Sequence, residues 1–307
     1  MKFIHVPVLL HESMHYLITD KSGVYVDCTL GTGGHFIQMA KETNEEAVLI
    51  GIDADPQAIA HCRDTIDVRQ KTLYINQNFE HIRKYTFRNG YVKVDGILMD
   101  LGMSSFALED EERGLAFRKN GPLDMRFSPE IANSAADFVN RAEVDEIKRI
   151  LWHYGEEKNA GKIAREIEKV RLSTTIETTG QLAEIVKKFT PERYHNKALS
   201  RVFQAIRIHV NKELDVLENA LKQTVQMLKP GGRLVIISYH SLEDRIVKNF
   251  IKEQTTDCIC PPEFPICNCG HKATFKKVTK KIVLPDEEEL KTNNRARSAK
   301  LRAVERL

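Results

Sequence analysis

The amino-acid sequence predicts an α/β protein in which a parallel sheet wound with helices is interrupted by an inserted all-helical subdomain. Three observations carry that expectation. Apolar strands alternate with helical patterns over the first third of the chain, amphipathic helices replace them from residue 108 to about 197, and strand patterns then resume.

VYVD, AVLIGID and DGILMD are the clearest strands of the first third. In the middle, SAADFVNRAEVDEIKRILWHYG and TTGQLAEIVKKF space their apolar residues as one helix face and show little strand signal. Beyond them, Leu199, Val202, Phe203, Ile206, Val210, Leu214, Leu217, Leu221 and Leu228 recur at spacings of three, four and seven. That spacing predicts one long helix, with KPGG as its stop. GRLVIIS reads as another buried strand. In SYHSLEDR, Ser241 followed three residues later by Asp244 reads as a helix N-cap. The lysine-rich alternation of FKKVTKKIVLP suits an edge strand, where charge discourages pairing with other molecules. The expected organisation is a sheet domain over 1–107, the helical subdomain over 108–197, and the rest of the sheet domain over 198–307, ending in a basic tail.

With 42% hydrophobic and 29% charged residues, the composition is that of a globular protein large enough for a substantial core. The start, MKFIHVPVLLHES, is too short and too interrupted for a signal peptide, and no run has the length of a membrane span. The chain is therefore read as cytoplasmic, with no membrane partner. In that compartment six cysteines argue against a disulfide framework, and Cys28 and Cys62 read as inert small residues. A net charge of +3 does not by itself call for a nucleic acid. The basic residues do cluster: residues 187–212 hold seven Lys or Arg against the single Glu192, and the last seventeen residues hold six against Glu305.

The first strand runs into VDCTLGTGGHF. A glycine loop between a parallel strand and a helix lets backbone N–H groups approach a ligand closely, although the same residues also suit a tight turn with no ligand. A dinucleotide fingerprint would need glycines at 31, 33 and 36, and position 36 is Phe. Asp53 closes the second strand twenty residues after Gly33, where a carboxylate can accept both hydroxyls of a ribose. Together they point to an adenosine-type ligand and leave a nicotinamide cofactor and S-adenosylmethionine both open.

VDCTLGTGGH, GIDADPQAI, DGILMDLGMSS, ERG, GPLDMRF, RVFQAIRIHVNKEL, GGRLVIISYHSLEDRIVK and RARSAKLR, in this order and at these separations, resemble the ribosomal small subunit methyltransferase H family, also called MraW. The resemblance runs over nearly the whole chain. It implies a class I S-adenosylmethionine-dependent methyltransferase with a Rossmann-like sheet and a helical substrate-recognition insertion. The implied reaction is methylation of N4 of a cytidine in the decoding region of 16S ribosomal RNA, so the implied partner is that RNA within the small ribosomal subunit. The implied cofactor positions are Gly31, Gly33, Gly34, His35, Asp53, Phe79, Asp100 and Ala107. Relatives commonly carry Gln at the last of these, and Ala107 leaves only a backbone or van der Waals contact.

Methyl transfer from a sulfonium is an in-line displacement, so holding nucleophile, methyl carbon and sulfur in a row is the main task. The exocyclic amine of cytosine is a poor nucleophile because its lone pair is delocalised into the ring. An acceptor that hydrogen-bonds an N4 hydrogen favours a geometry with the lone pair aimed at the methyl. Asp100 is the catalytic candidate, with Ser104 and Ser105 behind it, although both serines also suit a cap. Ser200, Gln204, Arg207 and Asn211, at spacings of four, three and four, form a polar stripe beside RVFQAIRIHVNKE; Gln204, Arg207 and Asn211 of it, Arg201 nearby and His240 in SYHSL are the candidate substrate contacts, with a solvated stripe and a structural histidine as the alternatives. An NAD-dependent oxidoreductase or a non-catalytic S-adenosylmethionine-binding assembly factor would share part of this pattern. The cysteines of CICPPEFPICNCG form two C-x-C pairs, tighter than usual zinc spacing, and are expected to build a peripheral structural element with no metal.

Overall fold

The structure, a computed structural model, describes residues 7–103, 110–261, 264, 266 and 268–307. Contacts divide the chain into two compact units, Met1–Gly102 with Leu214–Leu307, and Met103–Glu213.

The first unit is built on seven strands: β1 Val24–Asp27, β2 Val48–Asp53, β3 Lys71–Asn76, β4 Val94–Asp100, β5 Leu228–Ser238, β6 Phe275–Lys277 and β7 Lys300–Arg306. They lie in the order β3-β2-β1-β4-β5-β7-β6. The first five are parallel, and β7 runs antiparallel to both of its neighbours. Strand order reverses between β1 and β4, as in a Rossmann-like doubly wound sheet. Alternate residues face opposite sides. Tyr25, Leu98, Val235 and Leu301 share one core with Phe36, Met39 and Ile59, from α2 Gly34–Glu42 and α3 Pro56–Thr65, and with Met14 of the preceding helix α1 Leu10–Leu17. Val26, Ile97, Ile236 and Val304 share the other core with Ile82, the first residue of α4 Ile82–Arg88.

The second unit has its own core. Among the described residues its helices are α5 Ala135–Arg141, α6 Val144–Gly155, α7 Ala160–Arg171, α8 Thr179–Lys187 and α9 His195–Asn211. Two of them start on reciprocal capping boxes, Ser134 with Asp137 and Thr178 with Gln181. Ile147, Ile150, Ile163, Ile167, Leu182, Val202 and Ile206 are buried together. Gly155 permits close approach of α6 to α9, since a Cβ there would stand 2.6 Å from the Arg201 carbonyl oxygen.

The expected single helix over 199–228 is two helices. Lys212 adopts a left-handed conformation, φ 51°, and separates α9 from α10 Glu213–Met227. The apolar residues of α9 belong to the core of the second unit, so the later unit boundary falls after Glu213 rather than at 197. KPGG is not a helix stop followed by a new strand. It lies inside β5, where pairing jumps from Val94↔Leu228 to Gly96↔Arg233. The cap of α11 Ser241–Gln254 is His240, one residue before the expected Ser241, in a box with Glu243. FKK forms the edge strand β6 as expected, although it is only three residues long. The basic tail is largely not a tail. Residues 287–292 form α12, and the last residues form β7, with Leu301, Ala303 and Val304 buried. Arg302 pairs with Asp244 at 3.0 Å, while Glu305 of β7 pairs with Arg233 at 3.3 Å and Lys276 at 2.8 Å. No helix among the described residues is long and apolar enough to cross a membrane.

Within the second unit the Glu157 side chain is 1% exposed, and one of its oxygens accepts from Arg201 Nε at 2.9 Å and Nη2 at 2.5 Å. Removing one partner of such a pair strands a buried charge, at about 3–5 kcal/mol when both are buried. Arg201 is 39% exposed, which reduces the figure. Arg201→Ala is therefore expected to lower stability by about 2 kcal/mol in chemical denaturation, and Glu157→Gln in the same chain to recover part of the loss; additive losses would show that the pair contributes little.

Candidate functional site

Three acids end three adjacent strands: Asp53 on β2, Asp27 on β1 and Asp100 on β4. Parallel strands point their carboxyl ends the same way, and the crevice at the reversal of strand order is where such sheets bind ligands. The glycine loop leaves β1 at this end. Gly31 and Gly33 take positive φ of 53° and 81°, and Gly33 caps α2. A Cβ on Gly33 would collide with Ile66, and one on Gly34 with the ring of Pro7. The Gly31 N–H donates to Asp53 Oδ2 at 2.7 Å, and the Asp55 N–H donates to Asp53 Oδ1 at 2.9 Å. Asp53 thus holds the loop as well as ending its strand, and a carboxylate oxygen can accept more than one hydrogen bond.

Asp27 is buried. Its Oδ1 accepts from the Thr29 N–H at 3.0 Å, while Oδ2 meets no donor among the described residues. Burial pushes its pKa from 3.8 up to about 6, against the opposing pull of His35 and the Thr29 amide. His35, buried in the first turn of α2, places Nε2 3.5 Å from Asp100 Oδ2, a charge contact rather than a well-formed hydrogen bond. Burial lowers the His35 pKa, but contact with Asp100 and the charges of Asp100 and Asp27 outweigh it and leave it raised.

Asp100 is held from other sides too. Its N–H donates to Thr29 Oγ1 at 2.8 Å, and its Oδ1 accepts from the Tyr239 hydroxyl at 2.7 Å. Burial, reinforced by the charge of Asp100, pushes the phenol pKa far up, so Tyr239 stays a donor. The Tyr239 N–H in turn donates to Glu243 Oε2 at 2.8 Å, tying the end of β5 to the start of α11. Nothing in the sequence marks Tyr239 beyond its place beside the strand end in SYHSLEDR, and Asp27 carries no motif that singles it out.

Gly31, Gly33, Gly34, His35, Asp53 and Asp100 therefore cluster at one end of the sheet. Phe79 opens the short turn Phe79–His81 after β3 and packs partly buried on the sheet core. Ser104, Ser105 and Ala107 lie outside the described residues. His240 is engaged as a cap, with Nδ1 accepting from the Glu243 N–H at 3.4 Å and Nε2 3.1 Å from Glu243 Oε1.

The polar stripe of α9 is not a solvated face. Arg207 reaches both Glu213 oxygens at 2.8 and 2.9 Å, and the two side chains are 10% and 11% exposed. Asn211 is buried, donates to the Met125 carbonyl and accepts from the Phe127 N–H, each at 2.8 Å. Gln204 donates to the Tyr154 carbonyl at 3.3 Å. The expected RNA-facing row is thus largely a set of internal ties: Arg207 to the glutamate that opens α10, Asn211 to the backbone of GPLDMRF, and Gln204 to the backbone of α6.

A family model described as the MraW methylase family matches residues 2–307. The chain belongs to the MraW methylase family. The ribosomal RNA small subunit methyltransferase H of Carboxydothermus hydrogenoformans is 46% identical over 310 residues, covering 100% of this chain and 99% of that protein. The protein of the same name from Fusobacterium nucleatum subsp. nucleatum is 44% identical, covering 99% and 97%. A solved rRNA methylase from Streptococcus thermophilus overlaps with a TM-score of 0.40 at 12% identity, covering 97% of this chain and 93% of its own. The fold assignment rests on strand order rather than on that overlap. As a MraW methylase, the chain is an S-adenosylmethionine-dependent methyltransferase, which sets aside the nicotinamide reading.

The residues present fit this cofactor. Asp53 offers acceptors for ribose hydroxyls, the glycine loop leaves room for close backbone approach, and the partnerless buried oxygen of Asp27 suits an ammonium donor.

A carboxylic acid whose folded pKa is raised favours the folded state at low pH and loses that contribution as pH rises through the folded value. Asp27→Asn is expected to gain about 2 kcal/mol of stability over the parent as pH goes from 4.5 to 8, for a shift of roughly two units. Chemical denaturation without cofactor measures it, and a gap that stays flat across this range would mean that Asp27 ionises normally.

Proposed function

We propose that the chain methylates N4 of a cytidine in the decoding region of 16S ribosomal RNA, with the small ribosomal subunit as its partner and the cytoplasm as its location. The observation that carries the mechanism is the placement of Asp100 between His35 and the Tyr239 hydroxyl. S-adenosylmethionine supplies an electrophilic methyl group on a sulfonium. Gly31, Gly33, Gly34, His35, Asp53 and Phe79 hold it, Asp53 through the ribose and Asp27 at the amino-acid end.

Asp100 orients the amine. Tyr239 fixes one carboxylate oxygen and His35 lies beside the other, so the side chain does not have to reorganise as charge develops. It accepts a hydrogen bond from an N4 hydrogen, which turns the lone pair towards the methyl. Methylation leaves the nitrogen with one proton to lose, and Asp100 would take it and pass it to water. Ser104 and Ser105, which follow Asp100 closely in sequence, are assigned to the same reaction. On the RNA side, Gln204 of the stripe and the neighbouring Arg201 are assigned to the substrate. Arg207, Asn211 and His240 act as supports.

Two measurements test this reading. Unmethylated small subunits incubated with the protein and S-adenosylmethionine should yield N4-methylated cytidine in the decoding region by mass spectrometry of digested RNA; methyl groups only on other bases would overturn it. The variants should fail differently. Asp53→Ala is expected to weaken cofactor binding by about 1.5–3 kcal/mol per lost charged hydrogen bond, with a smaller effect on turnover at saturation. Asp100→Ala should lower the single-turnover rate by about 10²-fold at saturating cofactor, because its contact strengthens in the transition state. If calorimetry and kinetics give the two variants the same profile, Asp100 is a cofactor ligand alone.

A further inference from the structure

The region between α11 and β6 stands apart from the catalytic end of the sheet. Residues 255–274 contain no helix or strand among those described, and Ile259, Phe264 and Ile266 expose their apolar side chains. The base of the region is tied. The Thr274 N–H donates to the Gln254 carbonyl at 2.9 Å, the Ala273 N–H donates to Asp257 Oδ1 at 3.1 Å, and His271 Nε2 lies 2.9 Å from the Glu253 carbonyl oxygen. Among the described residues the tip has no apolar core of its own to offset the roughly 1–2 kcal/mol per residue that ordering a backbone costs. Small elements in that position are commonly held by a disulfide or a metal.

At this tip the sulfurs of Cys258, Cys260 and Cys269 all lie within 4.8 Å of one another. Cys258 and Cys269 Sγ are 3.9 Å apart. Zinc–sulfur bonds of about 2.3 Å at tetrahedral angles hold thiolates about 3.8 Å apart, whereas a disulfide brings two sulfurs to about 2.05 Å. The tight C-x-C spacing, which argued against a metal in the linear sequence, therefore does not prevent a ligand-like arrangement. The chain brings together thiols eleven residues apart.

We propose that Cys258, Cys260 and Cys269 form a thiolate site for a structural zinc ion. Thiolate ligands select zinc over magnesium or calcium, and zinc brings no redox chemistry of its own. Binding forms three sulfur–zinc bonds and releases three thiol protons to solvent, with no change of oxidation state. A tetrahedral ion takes a fourth ligand. The sequence offers Cys267, which lies outside the described residues, and the three described sulfurs carry the inference. The site closes the tip as the backbone ties close the base, and it has no part in methyl transfer.

The test uses the full chain, free of tags and purified without chelator. Elemental analysis should find about one zinc per chain, falling at least fivefold in the Cys258→Ser/Cys269→Ser variant. Independently of any variant, adding cobalt(II) to chelator-stripped parent protein should produce sulfur-to-cobalt bands in the near ultraviolet and intense visible bands, saturating at one equivalent. Zinc retained in the double variant would place the ion elsewhere. Parent protein with neither zinc nor a cobalt spectrum would overturn the proposal. So would a disulfide joining two of these three cysteines, found by peptide mass spectrometry of protein denatured without reductant.

Discussion

The carboxylate of Asp100 is the point on which the catalytic end of the sheet is assembled. One oxygen accepts from the Tyr239 hydroxyl beyond β5, the other faces His35 in the first turn of α2, and the backbone N–H of the same residue holds Thr29 in the glycine loop. Three elements that share no stretch of sequence are thereby set around one half-buried charge. The His35 contact also accounts for an imidazole that stays basic inside the protein, since burial alone would drive it neutral. Asp27, at the end of the neighbouring strand, is held closer to its neutral form, chiefly by burial and against the pull of His35.

The layout of the sheet was legible because its strands are buried on both faces and read as nearly continuous apolar runs. VYVD, VLIGID and DGILMD stand out against charged neighbours, and each ends in the acid that matters. The glycine loop was legible for a related reason, since residues of positive φ declare themselves by type. What escaped the sequence was the break at Lys212. A non-glycine residue in a left-handed conformation carries no compositional mark, and the apolar spacing runs across it unbroken. Tyr239 escaped too, because a hydroxyl that orients a carboxylate through tertiary structure leaves no periodicity behind.

The basic residues teach a different lesson. Basic residues cluster in the linear sequence, and two arginines there stand as candidate substrate contacts, yet Arg207, Arg302 and, in part, Arg201 are bound to acids of their own unit. An arginine beside a glutamate six residues away in sequence, or beside an aspartate on a helix against the sheet, serves packing through its long aliphatic stem as well as charge. Counting charges along the chain cannot separate these cases, because the partner of each cation is chosen by the fold.

The interruption of the sheet also bears on how it is made. β4 and β5 are hydrogen-bonded neighbours, yet residues 101–227 lie between them in the chain. Closing so long a loop costs little more entropy than closing one half its length, so the insertion is cheap at equilibrium. It is expensive in time, because pairings distant in sequence form slowly. The inserted helices bury a core of their own from local contacts, which can organise while the strands on either side are still unpaired. Until β5 arrives, one edge of β4 is bare, and its run of buried apolar residues is the segment most exposed to mispairing during assembly.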